Sequence, residues 1–422
     1  MKKTLLTLIA ILIATATTAQ KYVGGDISML KKFQDEGAIY KDKNGTEVEP
    51  LAFFKQEGWN AMRVRLFVDP SKASAEHKKE GAIQDLDYVI ALCKDIKAAG
   101  FKLMLDFHYS DTWTDPGKHS TPTAWSSLSV TDMGAMIYDY TQKCLQQLVA
   151  ANATPDFIQT GNEITYGIIW PTAHIWPGGG GQDGGTWENF TLYLSQAIKA
   201  CKEVCPNAQI VIHTEMSKAD NVTNFYQQLA KYPTVEYDII GLSYYPDYHG
   251  TLATLGSTLT KLETSYPDKK IMIVETGYGF EWQLSDKKYD YSSTWPISES
   301  GQQKFTTDLI AALEEHPNVN GLFWWYPEYT LNNIVFKNGS EDWSKNFTSG
   351  YWNAALFHYK TGKALAALYE LKTFAGDDTG IHGIEADRQL DNTWFTLDGR
   401  KLTVKPTKRG IYIHNGKKYI IR

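Results

Sequence analysis

Cysteine is scarce in this chain. There are four in 422 residues, and none stands at a spacing from histidine that would hold zinc. Cys93, Cys144, Cys201 and Cys205 all fall in helix-like stretches (ALCKDI, TQKCLQQ, KACKEVCP), where buried free thiols are expected. Cys201 and Cys205 would sit one helical turn apart, a strained separation for a bridge. No block of Lys or Arg occurs, and a net charge of −6 with mixed signs argues against nucleic acid or an anionic membrane surface as a partner. Apolar runs of bilayer-spanning length are also missing. The longest, Leu5 to Ala16, is too short to span, follows Lys2 and Lys3, and precedes Thr17-Thr18-Ala19. That pattern predicts a signal peptide over residues 1–19, cleaved before Gln20, and an exported protein in the periplasm or outside the cell. No Cys follows the cleavage site, so no lipoprotein anchor is expected. Finally, no Gly-rich phosphate loop follows the first strand-like run, which disfavours a doubly wound nucleotide fold.

What the chain has in quantity is apolar and aromatic side chains, 43% and 13% of residues, with 13 Trp and 25 Tyr. Many of the aromatics lie beside Asp, Asn, Gly and Pro in loop-like segments. Rings exposed there suit sugars, whose C–H faces are apolar and whose hydroxyls want polar partners. Eight short apolar runs read as buried parallel strands: VGGDIS (23–28), AMRVRLFV (61–68), KLMLDFHY (102–109), FIQTGNEI (157–164), IVIHTEM (210–216), IIGLSYYP (239–246), IMIVETGY (271–278) and GLFWWYP (321–327). Helical patterns lie between them, at Asp85–Gly100, Thr131–Ala151, Asn189–Cys205, Asn221–Lys231 and Ser300–Glu315, with Ala364–Phe374 as a closing helix. This alternation predicts an α/β fold, a (β/α)₈ TIM barrel over residues 20–375. At about Gly376 the pattern changes to a polar stretch and then short alternating runs (TWFTLDG, KLTVKP, GIYIHNG, KKYIIR) with DG and NG turns. Residues 376–422 therefore read as a small C-terminal all-β module.

A barrel of this kind builds its site at the C-terminal ends of its strands. Those ends carry Asp26, Arg63 and Arg65, His108, Asn162-Glu163, His213 and Glu215, Tyr244-Tyr245, Glu275 and Trp325. Glu163 and Glu275 each follow a long apolar run and stand on strands four and seven, across the barrel mouth from one another. Two facing carboxyls are what cleavage of a glycosidic bond needs, one protonated to assist the leaving oxygen and one ionised. An arginine at the end of strand two, Arg63 or Arg65, is placed to hold Glu275 ionised. Tyr244 or Tyr245 is placed to donate to its other oxygen. Asn162 can bind a sugar hydroxyl, and His108, Asp111 and Trp113 begin a polar, turn-rich loop suited to substrate binding. Trp325 is expected to be a sugar platform, with Trp324 facing the outer layer. His213 and Glu215 are weaker candidates. The Gly-rich loop 172–185 is either a flexible linker or a mobile edge of the groove.

These segments resemble glycoside hydrolase family 53, the endo-β-1,4-galactanases of clan A. The resemblance rests on GGDISML (24–30), NAMRVRLFVDP (60–70), LDFHYSDTWTDPGKHSTP (105–122), TGNEITYGIIWP (160–171), IGLSYYPDYHG (240–250), IVETGYG (273–279) and GLFWWYP (321–327). It implies Glu163 as acid/base and Glu275 as nucleophile in a retaining double displacement, on β-1,4-galactan or arabinogalactan, by a monomer. Mannan, xylan or cellulose as substrate, or a non-hydrolytic glycan-binding barrel, are the alternatives. The chain departs from the family after Trp325, where Tyr326-Pro327 replaces the usual Glu-Pro. No metal or cofactor is required by this chemistry. Calcium is bound by some relatives in the loop after strand seven, but here Asp286 and Asp290 alone do not predict it. The C-terminal segment resembles modules that follow secreted enzymes of Bacteroidetes bacteria.

Overall fold

The computed structural model describes residues 20–216, 219–284, 286–334 and 351–376, with parts of the segment 394–421. The expected signal segment, 1–19, and much of the loop after strand eight lie outside these residues. Eight parallel strands close into a barrel: β1 (Tyr22–Asp26), β2 (Ala61–Leu66), β3 (Lys102–Phe107), β4 (Phe157–Thr160), β5 (Gln209–Glu215), β6 (Ile239–Tyr244), β7 (Lys270–Thr276) and β8 (Val319–Trp325). Closure is made by β1 against β8, with Tyr22 opposite Gly321 and Asp26 opposite Trp325. At Gly24 the neighbouring strand comes so close that a Cβ would lie 1.7 Å from the Ala61 carbonyl oxygen, which only glycine permits.

Seven of the connections carry a helix of some length: α1 (Pro50–Gln56), α2 (Leu86–Ala98), α3 (Val130–Ala150), α4 (Trp187–Val204), α5 (Ala219–Leu229), α6 (Leu252–Ser265) and α7 (Glu299–Glu314). Their starts are set by side-chain caps. Asp85, Ser129, Thr186, Thr251 and Ser298 each accept a backbone N–H from the first turn, an arrangement worth about 1 kcal/mol apiece. Two helices, α1 and α6, were not anticipated. α6 (LATLGSTLTKLETS) is rich in Thr, Ser and Gly, weak helix formers, yet Leu255, Thr258, Leu259 and Leu262 give it one buried stripe. The expected closing helix is two short ones, α8 (Ala366–Glu370) and α9 (Lys372–Ala375).

The chain divides into two compact units, one reaching to Gly376 and the other running from Asp377 to Arg422. The second contains a four-stranded antiparallel sheet of β9 (Trp394–Thr396), β10 (Lys401–Leu402), β11 (Gly410–His414) and β12 (Lys417–Ile421). All four cysteines are free and buried. Among the described residues, no helix is long and apolar enough to cross a membrane.

Inside the barrel the side chains change character with height. Ala61, Met104, Phe157, Val211, Ile239, Met272, Val274 and Phe323 form an apolar floor. Two residues further along four of these strands the inward positions become Arg63, Asp106, Gln159 and His213, and four residues beyond Ile239 comes Ser243, all buried. Period-two alternation thus turns an apolar plug into a polar platform at the mouth.

Candidate active site

On β7, strict alternation after Met272 and Val274 would send Glu275 outward. A bulge prevents this: Leu242 pairs with Ile273 but Ser243 pairs with Glu275, leaving Val274 as the extra residue. The bulge re-aims Glu275 into the mouth, where it is 7% exposed. There its Oε1 meets an Arg63 Nη1 at 2.9 Å, and its Oε2 accepts from the Tyr245 hydroxyl at 3.1 Å.

Glu163 reaches the same space by another route. β4 ends at Thr160, and Glu163 follows in the left-handed region, φ 48° and ψ 48°. For a residue with a Cβ that conformation costs roughly 1–2 kcal/mol, and the neighbours hold it. The Glu163 N–H donates to His213 Nδ1 at 3.2 Å, and its carbonyl oxygen lies 3.3 Å from His119 Nε2. No cation contacts the Glu163 carboxyl among the described residues. Burial, Glu275 and Glu215 raise its pKa well above the usual carboxylate range. Glu275 is raised less, to about 7, because Arg63 opposes the effect of burial. The expectation that an arginine would keep Glu275 low is therefore corrected in degree: desolvation outweighs the cation.

Arg63 is the hub of the platform. It is 1% exposed and also binds Asp26 (2.8 Å), Asp106 (2.8 Å), the Asn162 Oδ1 (2.8 Å) and, through Nε, Gln159 (3.3 Å). The two arginines left open by the sequence are separated by this network. Arg65, one inward position higher, binds the other Asp26 oxygen at 2.9 Å and not Glu275. Its guanidinium stacks 4.4 Å from the Trp113 ring and 5.1 Å from that of Tyr326. Tyr326, the departure from the family pattern, is thus a buried partner of Arg65. The two tyrosines also separate. Counting inward positions from Ile239 gives Gly241, Ser243 and Tyr245, so Tyr244 points outward, where its hydroxyl donates to the Gly250 carbonyl at 2.9 Å.

Two expected substrate ligands are internal supports instead. Asp26 is fully buried beneath the arginines, and Asp111 accepts from the Thr123 backbone N–H at 2.8 Å. Asn162 has its amide oriented by Arg63 on the oxygen and by the Thr114 carbonyl on the nitrogen, 2.8 Å each. One amide hydrogen is left for a ligand. His108 Nδ1 accepts from the Thr114 N–H at 3.1 Å, so its proton sits on Nε2, 3.1 Å from Asp106. Trp324 faces outward against Phe305 and donates to the Ala354 carbonyl.

Above the platform opens a cleft of about 630 Å³, within the range of small-ligand sites. Glu163, Glu275, Asn162, His108, Arg63, Arg65 and Tyr245 form its base, with Trp113 and Trp325 as ring walls. The two indoles are 6.5 Å apart and inclined at 61°. Sequence reading missed Ser243, His249, Thr114 and Tyr248; the alternation on β6 could have found Ser243. Asp286 lines the cleft and accepts from the Tyr248 hydroxyl at 2.9 Å, whereas Asp290 binds Gln283 and the Ser292 N–H. The Gly-rich loop 172–185 is tied to itself and to α4 by His174–Asp183 (2.8 Å) and Trp187 Nε1 to the Trp176 carbonyl (3.0 Å).

Known proteins carry the same framework. The GH53 catalytic domain from Ignisphaera aggregans superposes with a TM-score of 0.71 at 32% identity, covering 83% of this chain and 95% of that one. Arabinogalactan endo-beta-1,4-galactanase A of Aspergillus niger is 30% identical over 335 residues, 75% of this chain and 88% of that protein. Endo-beta-1,4-galactanase of Bacillus subtilis (strain 168) is 27% identical over 344 residues, 78% and 77% of the two chains. The sequence model of glycosyl hydrolase family 53 matches residues 22–371, which takes in all eight barrel strands and both facing glutamates; the chain belongs to glycosyl hydrolase family 53, and it is a glycoside hydrolase.

Proposed function

We propose that this protein is an endo-acting, retaining hydrolase of β-1,4-galactosidic bonds in galactan and type I arabinogalactan, the side chains of pectin. The observation that carries the reading is the split between two facing carboxyls in one cleft. Glu275 is gripped by Arg63 and Tyr245, while among the described residues no cation contacts the Glu163 carboxyl, which has the higher proton affinity. At a pH where one proton remains on the pair, Glu163 keeps it. Glu163 then protonates the glycosidic oxygen as Glu275 attacks the anomeric carbon from the opposite face, breaking the C–O bond to the leaving chain. Ionised Glu163 next takes a proton from water, which displaces Glu275 and restores the original anomeric configuration. Asn162 is suited to the sugar 2-hydroxyl, and Trp113 and Trp325 to its apolar face. The chemistry needs no metal or cofactor, since the two carboxyls supply both proton and nucleophile. The galactanase relatives support the choice of polymer, and the open cleft suits attack within a chain. The Leu5–Ala16 run supports export.

Reducing-sugar release from galactan, arabinogalactan, mannan, xylan and cellulose tests the substrate. Galactan and arabinogalactan should be cleaved to oligosaccharides, with the β-anomer appearing first by NMR. Activity on mannan with none on galactan would overturn the reading. Glu275→Gln should abolish turnover while leaving galacto-oligosaccharide binding in place; unchanged turnover would refute the assignment of the nucleophile.

A further inference from the structure

We propose that His213 and Ser243 are positioning residues that close on Glu163 from both ends, holding its backbone amide and its carboxyl together so that the acid/base keeps one orientation in the cleft. The inference rests on Glu163 being the acid/base. Its geometry starts at the ring of His213. Nδ1 receives the Glu163 backbone N–H at 3.2 Å and the Gln159 side-chain amide at 3.0 Å. A backbone N–H can only donate, so Nδ1 bears no proton and the neutral ring carries its hydrogen on Nε2. That nitrogen lies 2.8 Å from the Ser243 Oγ, to which it therefore donates. With its oxygen accepting from His213, the Ser243 hydroxyl keeps its hydrogen free to turn toward the Glu163 carboxyl, whose proton affinity the serine lowers. The circuit runs from the Glu163 amide, through one imidazole and one hydroxyl, back to the Glu163 side chain.

Two features make this more than packing. Glu163 lies in the left-handed region, a conformation that persists only when its surroundings hold it. His213 and Ser243 are themselves fully buried on adjacent strands, β5 and β6, so neither can swing away. His213 also stays neutral, because burial and Arg63 push its pKa well below the usual value. The tautomer is thus kept across the working pH range. Gln159 extends the circuit to the other carboxyl: its Oε1 accepts from Arg63, which binds Glu275. The charged groups around the Glu163 carboxyl are Glu275 on β7, Glu215 on β5 and Asp115 in the loop after β3, and all three favour its protonated form. Ser243 works the other way by donating to the ionised form.

The test needs no substrate, so it stands apart from the choice of polymer. The full chain is labelled with ¹³C at the glutamate carboxyl, and the Glu163 signal is identified by its loss in Glu163→Gln. In Ser243→Ala the Glu163 midpoint should move upward by roughly one pH unit, and Ser243→Thr should restore it. An unchanged midpoint in Ser243→Ala, or an equal shift in both variants, would overturn the proposal. A second measurement uses the unaltered protein: ¹⁵N shifts of His213 should show a bare Nδ1 and a protonated Nε2. A proton on Nδ1 would equally refute the circuit.

Discussion

Removing the Tyr245 hydroxyl should shift the acid side of the pH–rate profile and do little at high pH. Tyr245 donates to Glu275 Oε2 at 3.1 Å, which favours the ionised carboxylate. Glu275 stands at about 7 with that hydrogen bond in place. A hydrogen bond to a charged group is worth about 1.5 kcal/mol or more, and one pH unit corresponds to about 1.4 kcal/mol. Tyr245→Phe should therefore raise the acid limb by about one unit. Well below both limbs the reactive fraction falls tenfold per unit, so kcat/KM should drop about tenfold there relative to the parent. Well above them Glu275 is ionised in either protein, and the pH-dependent part of the loss vanishes. What remains is any direct contribution of the hydroxyl to the transition state, a constant factor across the profile. The assay is initial-rate reducing-sugar release at sub-saturating galactan across both limbs. Because the carboxyls titrate as a pair, both limbs should be fitted together. A uniform loss with unmoved limbs would refute the reasoning: Tyr245 would then not be tuning Glu275.

Asp111→Ala should cost about 1 kcal/mol in urea unfolding through loss of the bond to the Thr123 N–H, with KM for galactan within about twofold of the parent. A large rise in KM at unchanged stability would restore Asp111 to the substrate site. Arg65→Met leaves Asp26 to Arg63 alone and removes the cation beneath Trp113. A destabilisation of about 3 kcal/mol is expected by chemical denaturation, together with weaker oligosaccharide binding by calorimetry; retained stability would show the pair to be dispensable. Gly24→Ala should give no folded protein by circular dichroism, since the new Cβ would meet the Ala61 carbonyl at 1.7 Å.

The barrel was legible because buried parallel strands write themselves as apolar runs, and the strand ends stood out as polar punctuation on those runs. Glu163 and Glu275 were readable for that reason. The partners were less so. Arg63 and Arg65 share a face by alternation, and only height on β2 distinguishes them, which a one-dimensional pattern does not carry. Tyr245 could have been chosen over Tyr244 by counting inward positions from Ile239. The β7 bulge, by contrast, leaves no mark in IMIVET, although without it Glu275 would face the helices. Asp111 misled because a polar turn looks the same whether its carboxyl meets a ligand or caps a backbone amide. α6 was missed because Thr and Ser obscured a leucine stripe of helical period.

The division of labour between the two carboxyls follows from the charge of the whole platform more than from either glutamate's nearest neighbour. Two guanidiniums, Arg63 and Arg65, face three carboxyls, Asp26, Asp106 and Glu275, in direct ion pairs. With all of these ionised, the platform already holds one more negative charge than positive. Burial first, and then Asp26 and Asp106, add to the proton affinity of Glu275, so that an arginine at 2.9 Å leaves it at about 7. Ionising Glu163 as well would add a fourth negative charge to a desolvated site where, among the described residues, no cation contacts its carboxyl, and of the two glutamates it holds its proton more tightly. Under the proposed mechanism, this charge balance selects Glu163 as the acid before any substrate arrives. Neutralising Asp106 as Asn should lower the acid limb, since it removes a negative charge that favours protonated Glu275. The same change deprives Arg63 of a partner at 2.8 Å and frees it to serve Glu275 more fully. Both effects have the same sign, so an upward shift of that limb in Asp106→Asn would refute the charge-balance account.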